Sequence, residues 1–288
     1  MQGTVDGFSY GLVTPLVAYL MACLGGALGL RCTTRSMLVA QSWRPGWLAL
    51  GSAAIGSGIW TMHFVAMMGF TVKETPINYD MGLTFASLGV AVLMVGIGIF
   101  IVGYRGTSGT ALFTGGTITG LGIASMHYLG MAGMRLNGKL EYNTLTVSAS
   151  VVIAVVAATA ALWAAGQVRG FLWSVGASLV MGLAVSGMHY TGMAALRVHL
   201  HAGSGSPEGA SPASLLAPLM IGPLAFLLLA GVVVMFDPLA VMGKSGRRPA
   251  DNRPGIPAHP AVPHPGRRLP PRAGQRHGER PSRTPQNR

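Results

Sequence analysis

The chain has 288 residues, half of them apolar and only a tenth charged, with a mean hydropathy of +0.50. A soluble domain carries about a quarter of its residues as charges, so this composition excludes an ordinary water-soluble globule. Of the formal charge of +12, residues 1–237 supply only +3, so the basic character belongs to the end of the chain and not to a folded basic surface.

Seven continuous apolar runs follow one another at 10–30, 46–70, 81–103, 111–134, 145–166, 171–196 and 214–236. A helix needs roughly 20 residues to cross ~30 Å of hydrocarbon. Continuous rather than alternating runs predict helices rather than a β-barrel. The expected fold class is therefore all-α: a polytopic protein with seven transmembrane helices, whose first partner is the lipid bilayer. Residues 1–9 carry no Lys or Arg, so the first run is expected to stay as a span rather than be cleaved as a signal peptide. It holds Cys23, with Cys32 just beyond its end; nine residues of helix put them on opposite sides, so the two are not expected to pair.

The second run contains Gly56-Ser-Gly-Ile-Trp-Thr-Met62-His63-Phe64-Val-Ala66-Met67. The fourth contains Gly120-Leu-Gly-Ile-Ala-Ser-Met126-His127-Tyr128-Leu-Gly130-Met131, and the sixth Gly182-Leu-Ala-Val-Ser-Gly-Met188-His189-Tyr190-Thr-Gly192-Met193. The histidines are 64 and then 62 residues apart, two spans with their loops. The reading is a two-helix unit repeated three times, followed by a final helix. All three motifs then point the same way and lie near one face of the bilayer. Small residues recur at aligned positions (Gly56, Gly120, Gly182; Gly58, Gly122, Ala184; Ala66, Gly130, Gly192), as expected where transmembrane helices approach closely.

His63, His127 and His189 are ionisable groups within predicted spans, an expensive placement that points to a functional interior position. His and the final Met of each motif are four residues apart, on one helical face. Three such helices could offer His63, His127 and His189 with Met67, Met131 and Met193 to one metal. Met62, Met126, Met188, Phe64, Tyr128 and Tyr190 would flank that site. Imidazole with thioether suits copper, and haem held by His or Met is the alternative. No carboxylate or thiolate lies in the motifs, which argues against magnesium, calcium, iron–sulfur clusters and structural zinc. Methionine is also a common core filler, and the chain has 17. The rings of Tyr128 and Tyr190 are expected to anchor at the membrane interface, and Phe64 shows that a phenol is not needed in every copy. His199 and His201, after the sixth run, could capture metal but are read as a solvated loop.

Lys and Arg set the orientation. One set of loops carries Arg31, Arg35, Arg44, Arg105 and Arg169; the opposite set carries Lys73, Arg135, Lys139 and Arg197, partly offset by Glu74, Asp80, Glu141 and Glu208. Residues 238–288 hold 11 of the 20 basic residues, with only Asp251 and Glu279 against them. The N-terminus is therefore expected outside and the tail in the cytoplasm of a multi-pass plasma-membrane protein. Residues 1–237 are read as the membrane domain and 238–288 as a disordered, basic Pro/Arg-rich tail. That tail could rest on anionic lipid. Nucleic acid is not an expected partner, since no aromatic interleaving accompanies the charge. No Gly-rich phosphate loop, Ser/His/Asp pattern or paired carboxylates occur in a plausible context, so no enzyme is expected.

Met62-His63-Phe64, Met126-His127-Tyr128 and Met188-His189-Tyr190 resemble the MHYT domain of bacterial membrane proteins, over about residues 10–236. The resemblance implies a sensor domain with its motifs near the outer face, binding copper and responding to oxygen, carbon monoxide or nitric oxide. Phe64 departs from the family's tyrosine. Relatives often continue into cytoplasmic cyclic-di-GMP or histidine-kinase modules, whereas residues 244–288 are too short and too polar to build one. Output is then expected to pass through a cytoplasmic signalling partner. The rival readings are a copper carrier or chaperone for oxidase assembly, and a haem-binding membrane redox protein.

Overall fold

The computed structural model describes residues 3–7, 9–167, 171–200 and 212–236. His201, Arg169, Glu208 and the tail 238–288 lie outside the described residues. In chain order the elements are β1 (Val5–Asp6), α1 (Val13–Ser36), α2 (Arg44–Met68), β2 (Thr71–Val72), β3 (Asn78–Tyr79), α3 (Met81–Arg105) and α4 (Gly109–Ala132). They continue with β4 (Met134–Arg135), β5 (Gly138–Tyr142), α5 (Thr144–Gln167), α6 (Phe171–Ala194), β6 (Leu196–Leu200) and α7 (Pro212–Met235). Five helices are long and apolar enough to cross a membrane: α1, α2, α3, α5 and Leu172–Ala194 of α6. In α4, glycines and threonines dilute the hydropathy over the same length.

Local signals account for the helix ends. Asp80 starts α3 by accepting from the Leu83 N–H at 3.0 Å, and Ser108 starts α4 by accepting from Ala111. Gly106, at φ 73°, turns the chain out of α3 as an L side chain rarely could. Pro45 sits in the first turn of α2, where its missing N–H leaves nothing unpaired. Arg44 donates to the Gly103 carbonyl and its guanidinium lies 5.1 Å from the Tyr104 ring centroid, tying the start of α2 to the end of α3. One expectation is corrected here. Arg31 and Arg35 are not in a loop: α1 runs on to Ser36 and carries both in its last turns. Cys23 and Cys32 are both buried and unpaired with each other, because α1 is covered on opposite sides.

The six helices α1 to α6 form a ring in which each packs on its neighbours in sequence and α6 closes back on α1; α7 lies outside, against α2 and α1. The aligned glycines explain the spacing. A Cβ at Gly56 would meet the Val92 Cα of α3 at 2.8 Å, one at Gly120 the Val155 Cα of α5 at 2.4 Å, and one at Gly182 the Cys23 Sγ of α1 at 2.5 Å. Each motif helix thus presses the same glycine onto the next helix of the ring. Gly120→Val is expected to wedge α4 from α5 and destabilise by about 1–3 kcal/mol. Thermal unfolding in detergent would register the drop, and an unchanged midpoint would contradict the close approach.

The loops at the motif end are three short antiparallel ribbons, which hydropathy did not foretell. β1 pairs with β2, β3 with β4 and β5 with β6, so each ribbon joins the chain entering one helical hairpin to the chain leaving it. Lys73 lies between β2 and β3, and Arg135, Lys139 and Arg197 lie on strands rather than in open loops. Asp80 also accepts from Arg135 at 2.9 Å, and the guanidinium, with the Leu83 N–H, holds its carboxyl below the usual carboxylate range. A depressed acid contributes stability above its unfolded pKa of ~3.9, and that contribution is lost as pH falls through the lower folded value. Arg135→Ala should raise the Asp80 titration toward the unfolded value, read by NMR. No change in that titration would remove the pair from the account.

Candidate metal centre

Each histidine stands five residues before the last residue of its helix, Met68, Ala132 or Ala194. Equal depth on α2, α4 and α6 brings the three side chains to one point. The Nδ1 atoms lie 3.1 Å apart for His63 and His189, 3.1 Å for His127 and His63, and 3.3 Å for His189 and His127. The rings meet edge to face at 77–84°, centroids 4.9–5.0 Å apart, and none is more than 1% exposed.

A neutral imidazole Nδ1 is either a donor or an acceptor. Among three mutually adjacent atoms of two kinds, at least one pair is alike, so the triangle cannot satisfy itself with hydrogen bonds. A cation removes the conflict by accepting all three lone pairs. A point equidistant from corners about 3.2 Å apart lies ~1.8 Å from each (3.2/√3), and a small shift out of the plane reaches the ~2.0 Å of imidazole–metal bonds. The residues present therefore fit a metal ion. Ligation through Nδ1 leaves the remaining proton on Nε2.

Packing rather than hydrogen bonding orients the rings. His63 Nε2 and His127 Nε2 are buried without a hydrogen-bond partner among the described residues. A Cβ on Gly130 would lie 2.6 Å from His63 Nε2, and one on Gly192 2.4 Å from His127 Nε2. These two glycines were read from the sequence only as helix-packing positions; their role is to seat the preceding copy's imidazole. In the first copy the same position is Ala66. Each histidine also packs edge-on against the aromatic that follows it: Phe64 at 4.7 Å, Tyr128 at 4.8 Å and Tyr190 at 5.0 Å.

The aromatic rings of the first two copies pack within the protein. Phe64 is fully buried, against Trp60 at 4.7 Å and Tyr79 at 6.2 Å, and the Tyr128 hydroxyl pairs with Ser150 of α5 at 2.6 Å. What the three copies share is the ring, which is why phenylalanine serves in the first. Met62, Met126 and Met188 are buried in the core, as are Met67 and Met131, while Met193 is partly buried against it. Among the described His, Cys, Asp and Glu, the three histidines form the one group of three or more close enough to share an ion. His199 belongs elsewhere: its Nε2 lies 3.2 Å from Glu141 on the β5–β6 ribbon.

The sequence profile of the MHYT family, described as a bacterial signalling protein N-terminal repeat, matches residues 56–115, 120–178 and 182–243. Each match begins on the glycine that opens a copy of the motif. The chain belongs to the MHYT family. It is 37% identical over 235 residues to the bifunctional diguanylate cyclase/cyclic di-GMP phosphodiesterase MucR of Pseudomonas aeruginosa, covering 80% of this chain and 34% of that one. It is 34% identical over 238 residues to the cyclic di-GMP phosphodiesterase NbdA of the same organism, covering 78% and 30%. With the signaling protein YkoW of Bacillus subtilis it shares 30% identity over 198 residues, covering 66% and 24%. The chain spans about a third or less of the length of these relatives. No solved structure matches it. Membership of the MHYT family makes the chain a membrane signalling domain, and its buried three-histidine group could bind a metal.

Proposed function

We propose that this MHYT domain is a membrane sensor that holds one copper ion on His63, His127 and His189. In this reading all seven helices span the bilayer, the N-terminus and the histidines lie toward the outside, and the tail is cytoplasmic. The observation that carries the proposal is the Nδ1 triangle, which no set of neutral tautomers satisfies. Copper(I) suits it best among metals. The site is buried and contains no carboxylate, so a monovalent ion leaves less uncompensated charge than a divalent one. Met67, Met131 and Met193, one turn further along each helix, would supply soft thioethers. Haem fits less well, since the three imidazoles crowd to 3.1–3.3 Å at one buried point and leave no room for a macrocycle between them.

When bound, the ion supplies a redox couple or an open position for a diatomic gas such as oxygen, carbon monoxide or nitric oxide. The chain's own residues hold the rings at fixed depth, keep water out and link three helices at one point. A change at that point biases the packing of α2, α4 and α6 against the outer helices. The relatives' names support an output in cyclic di-GMP signalling, passed to a cytoplasmic partner.

Metal analysis of the purified full chain tests the reading. About one copper per chain is expected in the wild type and none in the triple variant His63→Ala/His127→Ala/His189→Ala. Equal, negligible metal in both would sink it, and an intense visible haem band would replace it.

A further inference from the structure

The aligned glycines put the three hairpins of the ring in register. Gly182 presses on Cys23 of α1, Gly56 on Val92 of α3 and Gly120 on Val155 of α5, so these three residues are equivalent points. The histidines set the same register for α2, α4 and α6; Trp47 and Trp173, for example, each stand 16 residues before theirs. Any surface of one hairpin can then be compared with its counterparts on the other two.

On the first hairpin the outer face is a seat for α7. Leu28 and Cys32 of α1 and Ala54 of α2 bury Leu227, Ala230 and Val234 of α7, with Trp47 and Leu50 packed alongside. On the second hairpin the counterparts of Leu28, Cys32 and Ala54 are Ile97, Ile101 and Ile118, bulkier at two of the three positions. On the third they are Ala160, Ala164 and Val180, with Trp173 and Gly176 in the places of Trp47 and Leu50. All five of these residues line an apolar groove of about 420 Å³ between α5 and α6. A Cβ on Gly176 would meet nothing within 4 Å, and Trp173 and Val180 are 53% and 68% exposed. The third hairpin therefore repeats the seat, tryptophan included, but hollowed out and open.

α7 has two unlike faces. Leu227, Ala230 and Val234 turn inward, whereas Leu229 and Val232, on the other side of the helix, are 63% and 50% exposed. In the filled seat the large Leu28 and Leu50 pack in one cluster with the small Ala230. The open seat reverses the sizes, offering Ala160, Ala164 and Gly176 to a helix with larger side chains, and small residues are what let helices approach closely in lipid. Copies inserted in one membrane share one orientation, so a neighbour's α7 meets this groove running the same way as the chain's own α7 meets the first seat.

We propose that the α5–α6 groove receives the outer face of α7 from a second copy of this chain, joining copies head to tail in the membrane. Each α7 then lies between its own α1–α2 hairpin and its neighbour's α5–α6 hairpin. Because the two surfaces differ, the contact passes from copy to copy and ends only by closing a ring. It leaves the histidines untouched and does not depend on a metal.

Crosslinking in native membranes tests it. Gly176→Cys and Leu229→Cys are placed in separate full-length chains with tags of different size, co-expressed and oxidised. A disulfide-linked heterodimer is expected from the mixture. None is expected from either variant alone, or from the wild type, whose Cys23 and Cys32 are buried. Adding Ala160→Ile/Ala164→Ile to the Gly176→Cys chain gives the groove the second hairpin's lining and should abolish the crosslink, with circular dichroism and the unfolding midpoint unchanged. Val232→Ala, added to the Leu229→Cys chain on the exposed face of α7, should lower the yield independently of the groove. Absence of the heterodimer would overturn the proposal. So would a homodimer of Gly176→Cys, which means groove against groove, or of Leu229→Cys, which means α7 against α7. A heterodimer that survives both the isoleucine pair and Val232→Ala would place the contact elsewhere and overturn it too.

Discussion

Gly192→Val is expected to abolish metal uptake while leaving all three histidines in place. A Cβ at this position would sit 2.4 Å from His127 Nε2, closer than any ordinary van der Waals contact. The ring must turn away, and its Nδ1 leaves the triangle it forms with His63 and His189. Two nitrogens remain, so copper content should fall as far as in His127→Ala. Overpacking of this kind also destabilises by about 1–3 kcal/mol, which circular dichroism and thermal unfolding would separate from loss of fold. Gly130→Val should act in the same way on His63, which lies 2.6 Å from the added Cβ. Full copper in a folded Gly192→Val protein would show that this contact does not seat the imidazole.

Trp60→Ala should be the most destabilising single change in the core. Trp60 is fully buried; its Nε1 donates to Ser87 Oγ at 3.0 Å and to the Thr84 carbonyl at 3.3 Å. Lipid gives helices little hydrophobic reason to associate, so buried packing of this size holds α2 against α3. Truncating a buried Trp costs about 3–5 kcal/mol, much of it for the space left behind. Trp60→Phe keeps most of the volume and gives up mainly the hydrogen bonds, worth about 1 kcal/mol each. The ring also supports Phe64, which packs on His63, so metal retention should weaken in Trp60→Ala and survive in Trp60→Phe. Equal unfolding midpoints for the two variants would contradict a packing role.

Much of this was legible in the residues, because a helix in lipid has a simple code. Apolar length gave the helices, and the interval between His63, His127 and His189 gave three equivalent positions at one depth. The convergence of their Nδ1 atoms could not be read so, since it depends on how the ring closes and on one rotamer per histidine. Gly130 and Gly192 were visible as small residues, but nothing in sequence says that an imidazole rather than a backbone approaches them. Two of the ribbons were missed because β1, β2, β3 and β4 have two residues each, too few for any alternation. The ends of α1 were misjudged because Arg31 and Arg35 read as loop charges, whereas long side chains let a helix carry them past the hydrocarbon.

A triangle of equivalent donors does not require one polypeptide. Three separate hairpins, each contributing one histidine and related by a threefold rotation, would reach the same arrangement as a homotrimer. In such a trimer every substitution appears three times, so no wall of the site could differ from the others. Tandem linkage lifts that constraint: Phe64 and Ala66 stand where the later copies have Tyr and Gly. The fused chain can therefore give an ion lopsided surroundings, with one hydroxyl-free side and two sides that carry phenols.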